Sequence, residues 1–320
     1  MCFFIGEEVK RIGIVGQGYV GTAVRTVFEQ YYKVYTYDIK ETCNCKNMEE
    51  LTNKSDIIFV CVPTPMRDNG SCHTSIVEEI IVTINELSLP KDDKIVAIKS
   101  TIPPGTTNEL NKKCENISVI FNPEFLTEAN FIDDFKNQNR IIVGGQRPAS
   151  TILRQVYSLV FPDAKVIKTG SKTAEMVKYF TNTFLATKVS FANEMKMLCD
   201  EIDIDYDKVV EYSIYDNRLG KSHWAVPGPD GKDGFGGSCF PKDIRALIYL
   251  MESLGVENNV LSGVWDTNLI VRPEEDWRQL KGRAVTNKHS SLKASKMEKK
   301  LLDFNEIFGK LIDNGKKKGK

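Results

Sequence analysis

The 320-residue chain balances 43 Lys and Arg against 43 Asp and Glu, for a formal net charge of zero at pH 7. Such a balance offers no electrostatic footprint for nucleic acid or an anionic membrane surface. No run approaches the roughly 18 apolar residues that cross a bilayer. At 41% hydrophobic and 27% charged, the composition is that of a soluble globular protein, long enough for two domains with sizeable cores.

The opening "MCFFIGEEVK" has only a brief apolar patch before Glu7 and Glu8, too short for a signal peptide. The eight cysteines (2, 43, 45, 61, 72, 114, 199, 239) form no CxxC pair. Without a secretory signal they are expected to be reduced thiols, and the location cytoplasmic. Cys43-Asn44-Cys45 resembles half a metal site, but no second Cys or His pair stands at ligand spacing, and the only histidines are at 73, 223 and 289. No metal is expected.

In chain order, short Val- and Ile-rich runs occur at 11–16, 33–38, 56–62, 94–99, 117–121 and 140–145, with a further one at 164–169. Continuous apolar runs of this length suit parallel strands covered on both faces. The helix-like stretches between them imply βαβ units and a Rossmann-like, doubly wound parallel sheet. From Lys172 to about Ile202 there is no Pro or Gly, and Met176, Val177, Phe180, Phe184, Leu185 and Val189 recur at helical spacing. The expected organisation is α/β: a dinucleotide-binding domain over 1–202 that includes the start of a long connecting helix, a smaller all-α domain over 203–271, and a polar, lysine-rich tail over 272–320. The helix carries more apolar residues than one sheet edge can cover, so a homodimer built on the helical half is expected.

"GIVGQGYVG" places Gly16, Gly18 and Gly21 in a G-x-G-x-x-G pattern between the first strand and the first helix. The pattern permits a tight turn, close approach of a pyrophosphate and close helix–strand packing. Asp38 ends the second strand, where a carboxylate would accept hydrogen bonds from a ribose and repel a 2′-phosphate. NAD is therefore favoured over NADP. Further on, "GFGGSCFPKD" (234–243) sets Cys239 behind glycines and before Lys242 and Asp243. A nearby cation favours the thiolate, so this is the pattern of a nucleophile.

With these motifs stand "CVPTP" (61–65), "KSTIPPGTT" (99–107), "NPEFLTEANF" (122–131), "AEMVKYFTNTFLATKVSFANE" (174–194) and "DNRLG" (216–220). In their order and spacing, from Arg11 to about Leu250, they resemble the UDP-glucose/GDP-mannose dehydrogenase family. The resemblance implies a four-electron, NAD-dependent oxidation of the C6 alcohol of a nucleotide sugar, as from UDP-glucose to UDP-glucuronate. Cys239 would form a thiohemiacetal and then a thioester. It implies further that Lys178 and Asn182, one turn apart, lie at the reacting sugar. Lys178 would stabilise alkoxide charge, although periodicity alone makes it a solvated residue. Glu124 would be the acid/base for thioester hydrolysis, with Thr101 positioning water or touching the cofactor. Asp243 would act as a base or orient Lys178; equally, it could cap the helix that follows. Gln17, Tyr19, Val20, Thr64, Glu128 and Lys242 would join the three glycines and Asp38 around NAD. Phe125, Leu126, Arg218, Phe235 and Gly236 would join Glu124, Lys178 and Asn182 around the substrate.

The family usually continues into a second Rossmann-like domain that holds UDP, whereas here only a basic tail follows Val285. A compact member and a smaller substrate are both open on this reading. The stretch "KSHWAVPGPDGKDGFGG" before the thiol is long, and Trp224 is either part of a lid or part of a surface loop. Two other classes stay open: a β-hydroxyacid-type dehydrogenase with one hydride transfer and no cysteine, and a non-catalytic NAD-binding protein.

Overall fold

The computed structural model describes residues 10–287. They divide into two compact units, the first holding residues up to 64 and 74–180, the second residues 65–73 and those from 181 onward.

The first unit begins with β1 (Arg11–Val15), α1 (Tyr19–Phe28), β2 (Lys33–Tyr37), α2 (Met48–Lys54) and β3 (Ile57–Val60). It continues through α3 (Ser75–Glu86), β4 (Lys94–Ile98), α4 (Thr106–Lys113) and β5 (Ile117–Phe121). It ends with α5 (Phe131–Lys136), β6 (Arg140–Gly144), α6 (Ala149–Val160), β7 (Lys165–Thr169) and the opening of α7 (Ser171–Glu201). The seven strands form one sheet in the order β2-β1-β3-β4-β5-β6-β7. Successive strand residues serve opposite faces, as the pleat requires. Ile57 and Phe59 pack with Phe28, Leu153 and Tyr157. Ile58 and Val60 pack with Leu51, Ile81 and Leu110. Two cores, one per face, account for the unbroken apolar runs.

The sheet differs from the expected fully parallel one at one seam. β1 to β5 are parallel, and β6 and β7 are parallel to each other. β5 meets β6 antiparallel, at the single pair Phe121↔Gly144. Only the short α5 lies between these two strands, and the chain returns antiparallel there instead of making a parallel crossover.

The second unit is helical: the rest of α7, α8 (Tyr206–Ser213), α9 (Phe240–Ser253), α10 (Asn259–Val271) and a 3-10 turn at Asp276–Gln279. The division at 180/181 lies 22 residues before the expected boundary, inside α7, since a long helix serves more than one core. Residues 65–73 also belong here, because the Met66 amide donates to Ala284 O at 2.8 Å and the Thr286 amide donates to Met66 O at 3.0 Å. The stretch from Arg272 to Asn287, expected as the start of a polar tail, packs instead. Trp277 is fully buried, its ring 5.4 Å from that of Trp265. The lysine-rich remainder of that tail, from 288, lies outside the described residues, as do Cys2 and His289. Among the described residues no helix is long and apolar enough to cross a membrane.

Trp277 is the largest fully buried side chain of the described residues. Trp277→Ala should cost about 3–5 kcal/mol by loss of transfer energy and the cavity left behind. The midpoint of urea unfolding should fall accordingly; a change under 1 kcal/mol would show that the 272–287 segment contributes nothing to this core.

Candidate active site

The glycine turn sits where strand order reverses, between β1 and β3, the place at which open α/β sheets take their ligands. Gly16 has φ +91°, and a Cβ there would lie 2.6 Å from Cys61 O. A Cβ on Gly21 would lie 1.8 Å from Gly16 O, so α1 packs on the turn only without side chains. Gly18 is different: a Cβ there would meet nothing within 4 Å. It is the N-cap of α1 and no side chain caps that helix, so the first-turn N–H groups face open space suited to a phosphate. Asp38 follows β2 directly. It accepts from the Gln17 amide at 2.7 Å and from the Lys40 amide at 2.7 Å, which fixes its carboxylate beside the turn. The buried Gln17 Oε1 finds no hydrogen-bond partner among the described residues. Open backbone donors, a fixed carboxylate and an orphaned acceptor fit a dinucleotide. Tyr19 and Val20 open α1, and the Tyr19 ring lies tilted against that of Phe131, centroids 5.1 Å apart.

The second group in this unit is built on β4, the loop after β5, and α7. Lys178 is buried, contrary to its solvated periodicity reading. Its Nζ donates to Glu124 O at 2.7 Å and Glu124 Oε1 at 3.0 Å, and lies 5.4 Å from the Phe125 ring centroid. Glu124 Oε2 accepts from the Leu126 amide at 2.7 Å. Burial pushes the Glu124 carboxyl up, but the Lys178 charge and these hydrogen bonds outweigh it and hold the group below the usual carboxylate range. Below the pair lies Lys99, bonded to Asn122 O at 3.2 Å, Asn122 Oδ1 at 3.0 Å and Tyr157 OH at 3.3 Å. Burial lowers Lys99 to about 8. One turn before Lys178, the Glu175 carboxylate accepts from the amides of Gly105 and Thr107 at 2.5 and 2.9 Å and from the Thr107 hydroxyl at 2.6 Å. It thus satisfies the start of α4 and pins α7. Thr101 and Thr64 are buried, and Glu128 is exposed.

The second unit holds the thiol. Cys239 occupies the N-cap position of α9, with Pro241 in the first turn. Asp243 is therefore not the cap of this helix: α9 starts four residues earlier than the capping alternative requires. Asp243 is 1% exposed. It accepts from Asn182 Nδ2 at 2.6 Å and is ion-paired with Lys242. Burial lowers the Lys242 ammonium, but Asp243, Cys239 and Cys72 more than reverse this, and it stays raised and charged. Burial pushes Cys61 up to about 12 and raises Cys45 and Cys114, so those thiols are poor nucleophiles. None of the described cysteines is in a disulfide. Arg218 lies on the surface, its guanidinium paired with Asp216. Phe235 is buried, and Gly236 lies against the Arg272 guanidinium. Trp224 is packed: its Nε1 donates to Gly220 O at 2.8 Å and Lys188 Nζ lies 4.5 Å from its ring centroid.

The structure thus joins Gln17 to Asp38, Lys178 to Glu124, and Asn182 to Asp243 and Lys242; Arg218 stands apart with its own counter-ion. Lys99, Asn122, Glu175, Asn193, Asn268 and Arg272 escaped sequence reasoning. The available signal was polar residues set between apolar ones, as in "VWDTNLIV". Among the described residues no cluster of His, Cys, Asp and Glu could hold a metal ion.

The Glu124–Lys178 pair sets a pH dependence. A carboxyl held below its unfolded value adds stability above about pH 4.5, and that stability is lost as pH falls through the folded value. Lys178→Met leaves the burial without the counter-charge. The variant should be less stable by about 3 kcal/mol at pH 7, the gap closing as pH is taken from neutral down through the carboxylate range. Urea unfolding across that range measures it; a gap that does not change with pH would remove the pair from the account.

Residues 39–161 match the NAD binding domain of the UDP-glucose/GDP-mannose dehydrogenase family, and residues 172–269 match its central domain. The UDP-glucose 6-dehydrogenase of Rickettsia bellii is 35% identical over 283 residues, 83% of this chain and 63% of that protein. The UDP-glucose 6-dehydrogenase TuaD of Bacillus subtilis is 32% identical over 81% of this chain and 63% of its own. The solved UDP-glucose dehydrogenase of Pyrobaculum islandicum superposes with a TM-score of 0.76 at 30% identity, over 84% of this chain and 70% of that one. The chain spans 63% of the length of the two curated relatives. Matched in both domains and in fold, the chain belongs to the UDP-glucose/GDP-mannose dehydrogenase family.

Proposed function

We propose that this protein is an NAD-dependent dehydrogenase that oxidises the C6 primary alcohol of a nucleotide sugar to a carboxylate. UDP-glucose is the substrate that its relatives' names favour. The observation that carries this reading is Cys239 at the start of α9, with the charged Lys242 beside it and Asp243 and Asn182 behind. The glycine turn and Asp38 would hold NAD, which would supply the hydride acceptor for each of two oxidations.

In the first oxidation the alcohol loses a proton and a hydride to become an aldehyde. Lys178 stabilises the alkoxide oxygen as charge develops there. The Cys239 thiolate then adds to the aldehyde carbon, and the oxygen of this thiohemiacetal takes up a proton. The helix N-terminus and Lys242 favour the thiolate. Loss of a second hydride and that proton gives a thioester. Glu124, ionised at neutral pH, draws a proton from a water positioned by Thr101. The water adds to the thioester, the C–S bond breaks, and carboxylate and thiol are released. Arg218, exposed and bearing a planar fork of donors, would meet phosphate or sugar oxygens.

The exposed apolar stripe along α7 supports a homodimer. Met176, Phe180, Phe184, Phe191 and Leu198 recur every four or seven residues at 41–66% exposure. Such a stripe is covered by a second copy when the chain self-associates. Sedimentation should give a dimer at micromolar concentration; a stable monomer there would contradict it. The reduced thiols favour a cytoplasmic setting.

NADH counted per UDP-glucose consumed tests the activity. Two supports the reading, one indicates a single-hydride dehydrogenase, and none a binding protein without turnover. Cys239→Ser should stall after the first oxidation, with aldehyde or enzyme adduct detectable by a carbonyl reagent or by mass. Release of glucuronate at the unmodified rate would remove the thiol from the mechanism.

A further inference from the structure

We propose that Asn268 is a positioning residue for the Cys239 thiol, acting through a side-chain clamp on the backbone of Phe235. The proposal rests on the reading of Cys239 as the nucleophile. Asn268 lies on the interior face of α10 and is 0% exposed, where an unpaired amide would be costly. It spends both ends of its amide on one residue. Its Oδ1 accepts from the Phe235 N–H at 2.6 Å, and its Nδ2 donates to Phe235 O at 3.0 Å. One side chain thereby does for Phe235 what a neighbouring strand does for a sheet residue. The preceding amide, Gly234, donates to Asn193 Oδ1 on α7 at 3.1 Å.

The glycines of the motif answer to these partners. Gly234 has φ +66°, and a Cβ there would lie 2.4 Å from Asn268 Oδ1. A Cβ on Gly236 would lie 2.5 Å from an Arg272 guanidinium nitrogen. Arg272 is itself buried and fixed by Asp276 and Asp230, both at 2.7 Å, and by Asp233 O at 3.3 Å. Phe235 packs against Phe240 at 6.1 Å, the first residue of α9. The chain is thus anchored at Phe235 and again at Phe240, with Cys239 adjoining the second anchor. A shift at the clamp passes to the sulfur with little slack, and a displacement of about 1 Å at a reacting group costs up to 100-fold in rate.

The test uses the full chain with Asn268→Ala and Asn268→Asp, the second keeping one acceptor but setting an oxygen against the Phe235 carbonyl. Iodoacetamide alkylation of Cys239 is followed by peptide mass from pH 6 to 9, with Cys43 as internal reference. The expected result is a change of roughly tenfold in the Cys239 rate and a displaced pH profile, while Cys43 and NAD affinity stay unchanged. In turnover, kcat should fall with the KM for NAD preserved. A folded variant whose Cys239 rate and pH profile stay within twofold overturns the proposal. Should neither variant fold, hydrogen exchange on the unmodified protein decides. A Phe235 amide protected like those of α10 supports the clamp; exchange at the rate of an open loop overturns it. Alkylation and exchange need no sugar turnover, so they stand apart from the NADH count that tests the dehydrogenase reading.

Discussion

The Lys178 ammonium and the Glu124 carboxylate meet inside the sheet-bearing unit, and much around them follows from the cost of burying charge. Taking either ion out of water costs several kcal/mol unless geometry and further hydrogen bonds repay it. The repayment is visible: Lys178 bonds both the side chain and the backbone of Glu124, and the Leu126 amide takes the second carboxylate oxygen. A loop that must present those groups cannot drift. The same constraint recurs where Glu175 meets the start of α4 and where Arg272 meets two aspartates. Buried polar groups here fix the backbone of chemically important loops more than they add to net stability.

Lys99 shows how closely structure and chemistry are woven in that unit. It lies within 6 Å of the rings of Phe59, Phe135 and Tyr157 and bonds Asn122. Asn122 in turn donates to Ile142 O at 2.7 Å, bridging the seam where β5 and β6 run in opposite directions. A side chain supplies there what the backbone ladder supplies elsewhere. Two residues on stands Glu124, so the seam and the candidate acid/base share one short loop.

The seven strands were readable because each is a short local run carrying β-branched residues, and the inner ones are buried on both faces. Their directions were not, since a strand covered on both faces carries no mark of which way it points; β6 and β7 turned out reversed. The placement of Asp38 beside the glycine turn was readable for the same local reason. Lys178 was not readable as buried, because what buries it is a carboxylate 54 positions away. Glu175 and Asn268 were hidden likewise, their partners lying 68 and 33 positions off. The start of α9 was misplaced in the capping alternative because Asp243 is a good cap in isolation, whereas Pro241 already belongs to the first turn. Trp277 fell in a stretch of charged residues whose average concealed one anchoring side chain.

The glycines at 234 and 236 have a consequence for inheritance. A side chain at either would run into Asn268 on α10 or Arg272 just after it, so the helical unit itself excludes one there. A descendant that had abandoned oxidation would still need them to fold its helical unit, and selection would keep them without any chemistry to protect. Glycines kept at these two positions would therefore mark an intact helical unit, whether or not oxidation continued.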